Sequence, residues 1–429
     1  MGVTERDTTS QGPPMTPTVA GPTVPARPTV VVTMVLARLG TMLPLMTVLS
    51  AALTLKLQTV LPQTEVVPTL GLTTSLGAFA ALFFDPVFGR ISDRTMSRFG
   101  RRRPWLVIGM TGLLAALLIM ALAPSAIVLA IGWVLGQIAA NAAVAAHTAS
   151  IADQLPPFQR GKVSGAIGVA QQASSLGAAY AAQLFSQQML LLFLVPGFIG
   201  FVLVFLYTLV LPDQPRQSPP PSSGDLAMVL KTFWVNPIKN PDFGLAWWSR
   251  FLVVLANFMF TTFRLLWIQH EMGLPPDEAT KIMATGVLCF TVALVVSGQV
   301  AGWLSDVVGR RKIFIIGSAL VFAAGTFMLV QSTSALSFYV AETIIGIGFG
   351  VYVAVDLALV LDVLPDPEEA AKDLGVFNIA MAGPQVLAPG LAAWIIGLSG
   401  GQNYDVMLGV AAAIAVVGAL LIIPVRKVK

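Results

Sequence analysis

The sequence is short of the residues that a water-soluble protein shows to solvent. Only 11% of its 429 residues are charged, whereas soluble domains carry about 25%. At the same time, 56% are hydrophobic and the mean hydropathy is +0.80. A chain this long and this apolar cannot hide its surface in one aqueous core, so we expect an integral membrane protein.

Reactive residues are also scarce. One cysteine, Cys289, lies in an apolar run, which excludes a disulfide framework and a cysteine metal site. The two histidines, His147 and His270, lie far apart in the sequence, so a histidine metal cluster is not expected. The sequence has no Gly-x-x-x-x-Gly-Lys-Ser/Thr loop for ATP and no polar stretch long enough for a catalytic domain. We therefore predict that the chain is not an enzyme and that it uses no cofactor, no metal and no nucleic acid.

What is present is a series of apolar runs, each long enough to span a bilayer. Polar or basic connections separate these runs, which is the pattern of a chain that crosses the membrane repeatedly. They predict twelve helices, at roughly 31–57, 66–87, 105–123, 126–151, 163–187, 189–211, 244–268, 279–303, 313–331, 334–361, 374–398 and 405–425.

The lysines and arginines indicate which ends of these helices face the cytoplasm. Most of those in the connections follow an even-numbered run, from Arg90–Arg103 after the second to Lys372 after the tenth, and more follow the twelfth. Cytoplasmic loops of membrane proteins carry an excess of such residues. We therefore predict that both termini lie in the cytoplasm and that the chain lies in the cytoplasmic membrane. We also expect it to be a monomer surrounded by lipid.

Two polar stretches divide the chain. Residues 1–28 are rich in Pro, Thr and Gly and are predicted to be a disordered cytoplasmic tail. The longest connection, 212–243, begins with a Pro/Ser-rich sequence that indicates a cytoplasmic linker. It separates an N-terminal six-helix bundle, 29–211, from a C-terminal one, 244–425, and residues 426–429 form a second tail.

The two halves share a sequence pattern. Asp93 in "GRISD" and Asp306 in "GWLSD" lie 213 residues apart, and Asp153 and Asp362 lie 209 residues apart. Further segments match in the same order at nearly the same offset. This indicates one bundle that was duplicated in parallel orientation.

The loop after the second helix, "GRISDRTMSRFGRRRPW", adds a family signature. With twelve helices and a parallel repeat, it resembles the loop of the major facilitator superfamily, whose pattern is roughly Gly-x-x-x-Asp-Arg-x-Gly-Arg-Arg. The inserted "TMS" resembles the branch that contains the sucrose/proton symporters and related sugar–cation symporters. The resemblance implies an all-α integral membrane fold of twelve transmembrane helices in two pseudo-symmetric six-helix bundles.

We expect this loop and its shorter repeat to form a cytoplasmic gate. Glycines allow tight turns, and aspartates can accept hydrogen bonds from arginines or from a helix N-terminus. The resemblance implies that the loop latches the two halves together; the alternative is a basic cluster that only orients the chain in the membrane. The gate residues are Gly89, Asp93, Arg94, Gly100, Arg101, Arg102, Asp306, Gly309, Arg310 and Arg311.

Charged side chains inside the predicted spans are candidates for coupling, because each costs about 2.5–3.5 kcal/mol near mid-bilayer. Arg264 and Glu342 lie in the seventh and tenth helices, which line the central cavity in the family that the sequence resembles. We expect them to pair, with Glu342 as the protonatable or solute-binding group; a structural salt bridge is the alternative. His147 and Asp356 form a second candidate pair that would meet across the two halves when the cytoplasmic side closes, unless His147 is only a packing residue.

Neutral polar residues at mid-depth are candidates for binding the hydroxyl groups of a solute. Hydrogen bonding between helices is the alternative for each of them. They are Thr41, Gln137, Asn141, Gln171, Asn257, Tyr352, Asn378 and Gln385.

These features predict a secondary active transporter that moves a small polar solute, a sugar, in symport with protons by alternating access. One alternative is a drug or metabolite exporter of the same superfamily. The other is a non-transporting membrane scaffold, which has little use for Arg264, Glu342 and Asp356 inside the membrane.

Overall fold

Almost the whole described chain is helical, as expected where the surroundings offer the backbone no hydrogen-bond partners. This computed structural model describes residues 22–213, 240–363, 370–398 and 402–426, and these ranges contain twelve long helices. The helices are α1 (Pro28–Val60, with a π-helical turn at Val48–Ala52), α2 (Gln63–Arg94), α3 (Arg103–Leu122), α4 (Ala126–Gln154), α5 (Pro157–Phe185), α6 (Met189–Val210), α7 (Pro241–Met272), α8 (Pro276–Val308), α9 (Arg311–Leu329), α10 (Ala335–Val363), α11 (Ala370–Gly397) and α12 (Tyr404–Ile422).

Eleven of these helices are long and apolar enough to cross a membrane, by length and composition. The twelfth is α5, which has 29 residues and is therefore about 43 Å long. It is long enough to span, but its Gln, Ser and Gly residues lower its hydropathy. It packs against α1 and α8 within the bundle, so we count it as a span. The predicted all-α membrane fold is confirmed.

The helices extend farther into polar sequence than the apolar runs predicted. For example, α2 was predicted at 66–87 and covers Gln63–Arg94, and α8 was predicted at 279–303 and covers Pro276–Val308. An apolar run marks only the part of a helix that lipid can cover, whereas backbone hydrogen bonding continues beyond it. The α8 ends have local causes, because proline suits a first helical turn and Gly309 adopts a left-handed conformation, φ +66°, after the last one.

The packing of the helices repeats from one half to the other. In the first half, α1 packs on α5 and α6, α4 on α2 and α3, and α3 on α6. In the second half, α7 packs on α11 and α12, α10 on α8 and α9, and α9 on α12. Adding six to each helix number in the first set gives the second set. The halves meet mainly through α2 with α11 and α5 with α8, which are also equivalent under this rule.

Close backbone contacts hold the helices of each half together. A Cβ atom on Gly40 of α1 would lie 2.8 Å from the carbonyl oxygen of Gly200 on α6, so only glycine allows this approach. The equivalent helices of the second half, α7 and α12, meet at Val253 and Gly418. The first half is therefore drawn together more closely at this crossing than the second.

The bundle has two faces, which we call the basic face and the opposite face. The basic face holds the loops of Arg101–Arg103 and Arg310–Lys312 together with the start of α7, where Asp242 accepts a hydrogen bond from the backbone of Arg426 at 3.1 Å. The opposite face holds the ends of α1 and α7. The predicted tails (except residues 22–28 and 426) and most of the predicted linker lie outside the described residues, and the division into domains stays a prediction.

Candidate functional site

A buried ion pair lies between α7 and α10. Arg264 Nε is 2.8 Å from Oε1 of Glu342, and the Glu342 side chain is fully buried. Arg264 is eight residues before the end of α7, and Glu342 is seven residues after the start of α10, so both lie about 10–12 Å inside the opposite face. The structure thus brings together the two residues that the sequence analysis had expected to pair.

The surroundings of this pair are largely aromatic. The Arg264 guanidinium lies over the rings of Phe260 and Phe290, at 5.3 and 5.8 Å from their centroids. Within the described residues, neither carboxylate oxygen of Glu342 has a well-aligned hydrogen-bond donor. A buried carboxylate with so little solvation depends on its counter-ion, and removing one partner of such a pair costs about 3–5 kcal/mol.

A second charged cluster lies deeper toward the basic face of the second half. Arg250 on α7 is 3.3 Å from Asp356 on α10 and lies 4.7 Å from the centroid of Phe377 on α11. The Tyr352 hydroxyl lies near Asp356 and Ser249, without a well-aligned hydrogen bond to either. The cluster therefore ties three helices of one half to a carboxylate inside the bundle.

The equivalent place in the first half holds Arg38 and His147. Arg38 donates from Nε and Nη2 to Oε1 of Gln171 on α5, at 3.3 and 3.1 Å. His147 is fully buried, and its Nε2 lies 2.8 Å from the carbonyl oxygen of Met34, so Nε2 carries a proton. The expected contact of His147 with Asp356 across the halves is not made in this structure, where each has a partner inside its own half. Its formation when the cytoplasmic side closes stays a prediction.

The sequence analysis missed one acidic residue near this cluster. Asp85 lies within α2, inside the run predicted at 66–87, and its charge interacts with that of Arg38. Its side chain is exposed. The signal in the sequence is a carboxylate beside a proline in "LFFDPVFG". It was missed because the surrounding residues are apolar, so the run as a whole was interpreted as a membrane span.

At the basic face, Arg102 connects the ends of several helices. Its Nε bonds to Asp153 at the end of α4 (2.9 Å), its Nη2 to Asp93 near the end of α2 (2.6 Å) and its Nη1 to the Ser92 hydroxyl (2.7 Å). Arg101 also pairs with Asp153, at 2.5 Å. Burial lowers the pKa of Arg102, but its bonds to the two carboxylates outweigh this and raise that pKa above its usual value. The guanidinium therefore stays charged although only 4% of it is exposed.

The same loop also binds the end of α6. The backbone N–H groups of Arg102 and Arg103 donate to one carboxylate oxygen of Asp213, at 2.6 and 2.9 Å. Gly100 has a φ of +99°, and a side chain there would meet the Asp213 carboxylate. Arg103 donates to the carbonyl oxygen of Leu211. A glycine at this turn is thus required twice, for its conformation and for its contact.

The repeat in the second half is weaker. Arg311 bonds to Asp362 at the end of α10 (2.6 Å) and lies 3.5 Å from Asp306 at the end of α8. Lys312 donates to backbone carbonyl oxygens at the end of α12. The Arg311 side chain is 27% exposed, against 4% for Arg102. The contacts described for both loops lie within one half, and the predicted latch between the halves stays a prediction.

The predicted solute-binding residues do not form one hydrogen-bonded cluster within the described residues. Thr41, Asn141 and Gln385 bond to carbonyl oxygens of their own helices, and Asn141 does so to that of Gln137. Asn378 is exposed, whereas Gln137 and Asn257 are buried. Two candidates, Gln171 and Tyr352, belong to the charged clusters described above. Of the gate residues, Gly89 has open space around its Cα atom, Arg94 ends α2 and Arg310 precedes α9.

The fold and these intramembrane charges define a membrane transporter of many spans. Its family follows from comparison with known sequences: the Major Facilitator Superfamily model matches residues 29–298 and 246–429. The chain belongs to this superfamily, and the predicted family is confirmed. The sucrose/proton symporter branch stays a prediction.

Two of the three sequence relatives described here align with only about a third of this chain. An uncharacterized MFS-type transporter of Mycobacterium tuberculosis is 29% identical over 145 residues, and the chain spans only 34% of its length. The uncharacterized MFS-type transporter YfiU of Bacillus subtilis is 29% identical over 139 residues, 32% of this chain and 26% of the relative. A triacylglyceride transporter of Mycolicibacterium hassiacum is 26% identical over 388 residues, 74% of this chain and 70% of the relative.

Solved structures match over most of the chain at low identity. The nucleoside transporter NupG has a TM-score of 0.72 at 13% identity, with 93% of this chain and 100% of that chain covered. A D-xylose-proton symporter has a TM-score of 0.67 at 16% identity, with 92% and 97% covered. These likenesses support the shared fold.

Proposed function

We propose that this chain is a proton-coupled symporter that moves a small polar solute, a sugar, across the cytoplasmic membrane by alternating access. The observation that carries this proposal is the fully buried Glu342, which lies 2.8 Å from Arg264 inside the bundle. A purely structural role would not require charged residues at this place, because a well-packed apolar pair of similar volume is often as stable as a buried ion pair.

The pair supplies a way to couple the proton to the solute. Protonation of Glu342 removes its charge and so weakens its hold on Arg264. The guanidinium, with five N–H donors, then becomes available to the hydroxyl groups of a solute. Proton binding thus prepares solute binding, which is the requirement for symport.

The distribution of charge supports an orientation. The arginine-rich loops lie on the basic face, and such loops favour the cytoplasmic side. Glu342 and Arg264 then lie nearer the outside, where a proton would enter during uptake. The exposed Asp85 of α2, and the Asp356 and His147 clusters, are proposed as later positions on the path toward the cytoplasm. The loops of Arg102 and Arg311 are proposed as the gate at that side.

Three observations favour a sugar as the solute. The loop with the inserted "TMS" resembles that of sugar symporters, and the candidate cavity residues are neutral amides and hydroxyls. The fold is also shared with a D-xylose-proton symporter. We therefore expect substrates that are uncharged and rich in hydroxyl groups.

The test is uptake into proteoliposomes with and without an inward proton gradient, for the native protein and Glu342→Gln. The native protein should accumulate a sugar only with the gradient. Glu342→Gln should lose this accumulation at least tenfold and keep exchange of solute across the membrane, because only the proton step is removed. Glu278→Gln is the matched control, since Glu278 is exposed at the start of α8, and it should transport normally. Gradient-driven accumulation by Glu342→Gln equal to that of the native protein would contradict the proposal.

An exporter of apolar metabolites is the second candidate, and one observation favours it. The relative that aligns over the greatest part of this chain among those described above is named a triacylglyceride transporter. The same proteoliposomes distinguish the two, because an exporter of apolar solutes would show no uptake of sugar and would move an apolar probe. A membrane scaffold would move neither.

A further inference from the structure

A cavity opens at the opposite face, between the two halves. Its volume is about 590 Å³, which lies in the usual range of small-molecule sites. The first half contributes the end of α1, the start of α2 and the α5–α6 connection, and the second contributes the end of α7, the α7–α8 connection and the start of α12. A molecule in this cavity would therefore contact both halves at once.

The polar lining of the cavity is unusually rich in amide groups. Five glutamines line it, together with two threonines, a serine, a tyrosine and His270. The glutamines are Gln58, Gln63, Gln187, Gln269 and Gln402. Each amide offers both donors and acceptors, as do hydroxyl groups. The lining can thus bind a solute whose own groups are hydroxyls, which likewise both donate and accept.

Two of these amides are joined across the halves and are incompletely bonded. Gln58 Nε2 on α1 donates to Gln269 Oε1 on α7 at 2.6 Å. The other polar atom of each amide, Gln58 Oε1 and Gln269 Nε2, is buried and has no partner among the described residues. A buried polar atom without a partner costs about 1–3 kcal/mol. The wall of the cavity therefore holds one acceptor and one donor without partners, which a ligand could satisfy after a small movement of the two side chains.

The bottom of the cavity is apolar and separates it from the charged pair below. Leu55 and Leu266 line the cavity one turn deeper than the two bonded glutamines, and both are buried. Arg264 lies about 8 Å below Gln269 along α7. The cavity is thus distinct from the Arg264–Glu342 site.

None of the described lining residues is Asp, Glu, Lys or Arg, and the imidazole of His270 lies 2.9 Å from both Glu271 Oε1 and Gln402 Oε1. A charged solute would lose water here without gaining a counter-ion, which is costly. A neutral solute pays no such penalty. The lining chemistry therefore selects by charge as well as by hydrogen bonding.

We propose that this cavity is a second solute site, which binds a neutral polyhydroxylated molecule between the two halves at the opposite face. The choice of a sugar as this molecule rests on the proposed function, while the cavity itself does not include Glu342. It would hold the solute on the path to the deeper site and bind it whenever the Gln58–Gln269 contact is formed.

The test is protection of an introduced cysteine at the rim. Thr59 lines the cavity and is exposed, so Thr59→Cys in a Cys289→Ser background should react with a membrane-impermeant maleimide. D-glucose or sucrose at saturation should slow this reaction at least threefold. Gluconate and glucosamine, which match glucose in size and carry a charge, should not slow it. Gln331→Cys, at an exposed position beside α9 and outside the cavity, is the matched control and should react at the same rate with every solute.

Two added substitutions decide what the protection reports. Gln269→Glu should abolish protection by D-glucose, because it places a charge in the neutral lining. Glu342→Gln should leave protection intact, because the site does not use that carboxylate. The proposal would be overturned if neither sugar protected Thr59→Cys. It would also be overturned if Glu342→Gln lost the protection, because the protection would then report transport motion instead of occupancy of the cavity. A failure of the proposed function would appear separately, as no gradient-driven uptake, since protection requires no flux.

Discussion

Equivalent arginines at the basic face of the two halves differ in their burial and in the number of their bonds. Arg102 binds two carboxylates and a serine hydroxyl and is almost fully buried, whereas Arg311 binds its two carboxylates at a partly exposed position. Exposed ion pairs contribute about 0–1 kcal/mol, whereas losing one member of a buried pair costs several. The two residues occupy equivalent places, so the difference lies in burial.

We therefore predict that Arg102→Ala destabilises the protein by about 2–4 kcal/mol and Arg311→Ala by about 1 kcal/mol or less. The measurement is the free energy of unfolding in a denaturing-detergent titration of the purified protein. Arg98→Ala, in the same loop on a turn with an exposed cation–π contact, is a control that should change little. Equal effects of the Arg102 and Arg311 substitutions would show that burial does not set the difference.

For single residues, the sequence predicted where a side chain lies along its helix better than which side chain it contacts. The offset of 209–213 residues correctly placed Asp93, Asp153, Asp306 and Asp362 at matching helix ends. It also set His147 opposite Asp356, and these two residues are not in contact in this structure. A repeat fixes equivalent places in two bundles, but it does not bring those places together; Asp356 instead pairs with Arg250, one helix away in its own half.

Helices are joined within each half by close contacts that depend on glycine. Gly40 and Gly200 bring α1 and α6 together at the backbone, and Gly109 does the same for α3 and α4. Inside a membrane such contacts replace the hydrophobic effect, because lipid is as apolar as the side chains. The fit of these surfaces then decides the stability of the pair.

Gly200→Ala should separate α1 from α6, because its added methyl would meet the carbonyl oxygen of Gly40. We expect a loss of about 1–3 kcal/mol in the free energy of unfolding. Gly409→Ala in α12 is the matched control, since a methyl there meets nothing within 4 Å. It should be neutral or slightly stabilising, because alanine favours helix over glycine by about 1 kcal/mol. A neutral Gly200→Ala would show that this crossing is loosely packed.

Helix number and order could be predicted because eleven of the helices contain a run that is apolar enough to cross a membrane, and the twelfth, α5, is a long run of small residues between two of them. The ends of the helices could not, since α2 and α8 continue as helices through polar sequence. The glycine contacts were also hidden, because a glycine at a crossing looks the same in sequence as one in a loop. What decides between them is the neighbouring helix, which hydropathy does not reveal.

The whole molecule is joined across its halves near the opposite face. Gln58 bonds to Gln269, and Gly71 on α2 packs closely against Pro389 and Ala393 on α11. Alternating access requires that such contacts open during each cycle, when solute enters from that side. A transporter that works in this way must stop if they are fixed.

We predict that joining Gln58→Cys to Gln269→Cys with a short bifunctional thiol reagent, in a Cys289→Ser background, abolishes uptake. A reducible reagent allows the activity to be restored, which separates locking from damage. The control pair is Gln154→Cys with Pro212→Cys, because these residues are in contact at the basic face (3.3 Å) and do not join the two halves. Cross-linking that pair should leave uptake unchanged. Full activity of the locked Gln58–Gln269 protein would exclude rocking at this face.

The principal contacts between helices form one closed circuit. Its order is α5, α1, α6, α3, α4, α2, α11, α7, α12, α9, α10, α8 and back to α5. Ten of these twelve junctions lie inside a half, and only α2–α11 and α5–α8 join one half to the other. A ring with two such seams can open and close by bending at those seams, once contacts across the halves such as Gln58–Gln269 separate. Substitutions inside each half can thus change which solute is bound, while substitutions at the α2–α11 and α5–α8 junctions change the rate at which the halves separate.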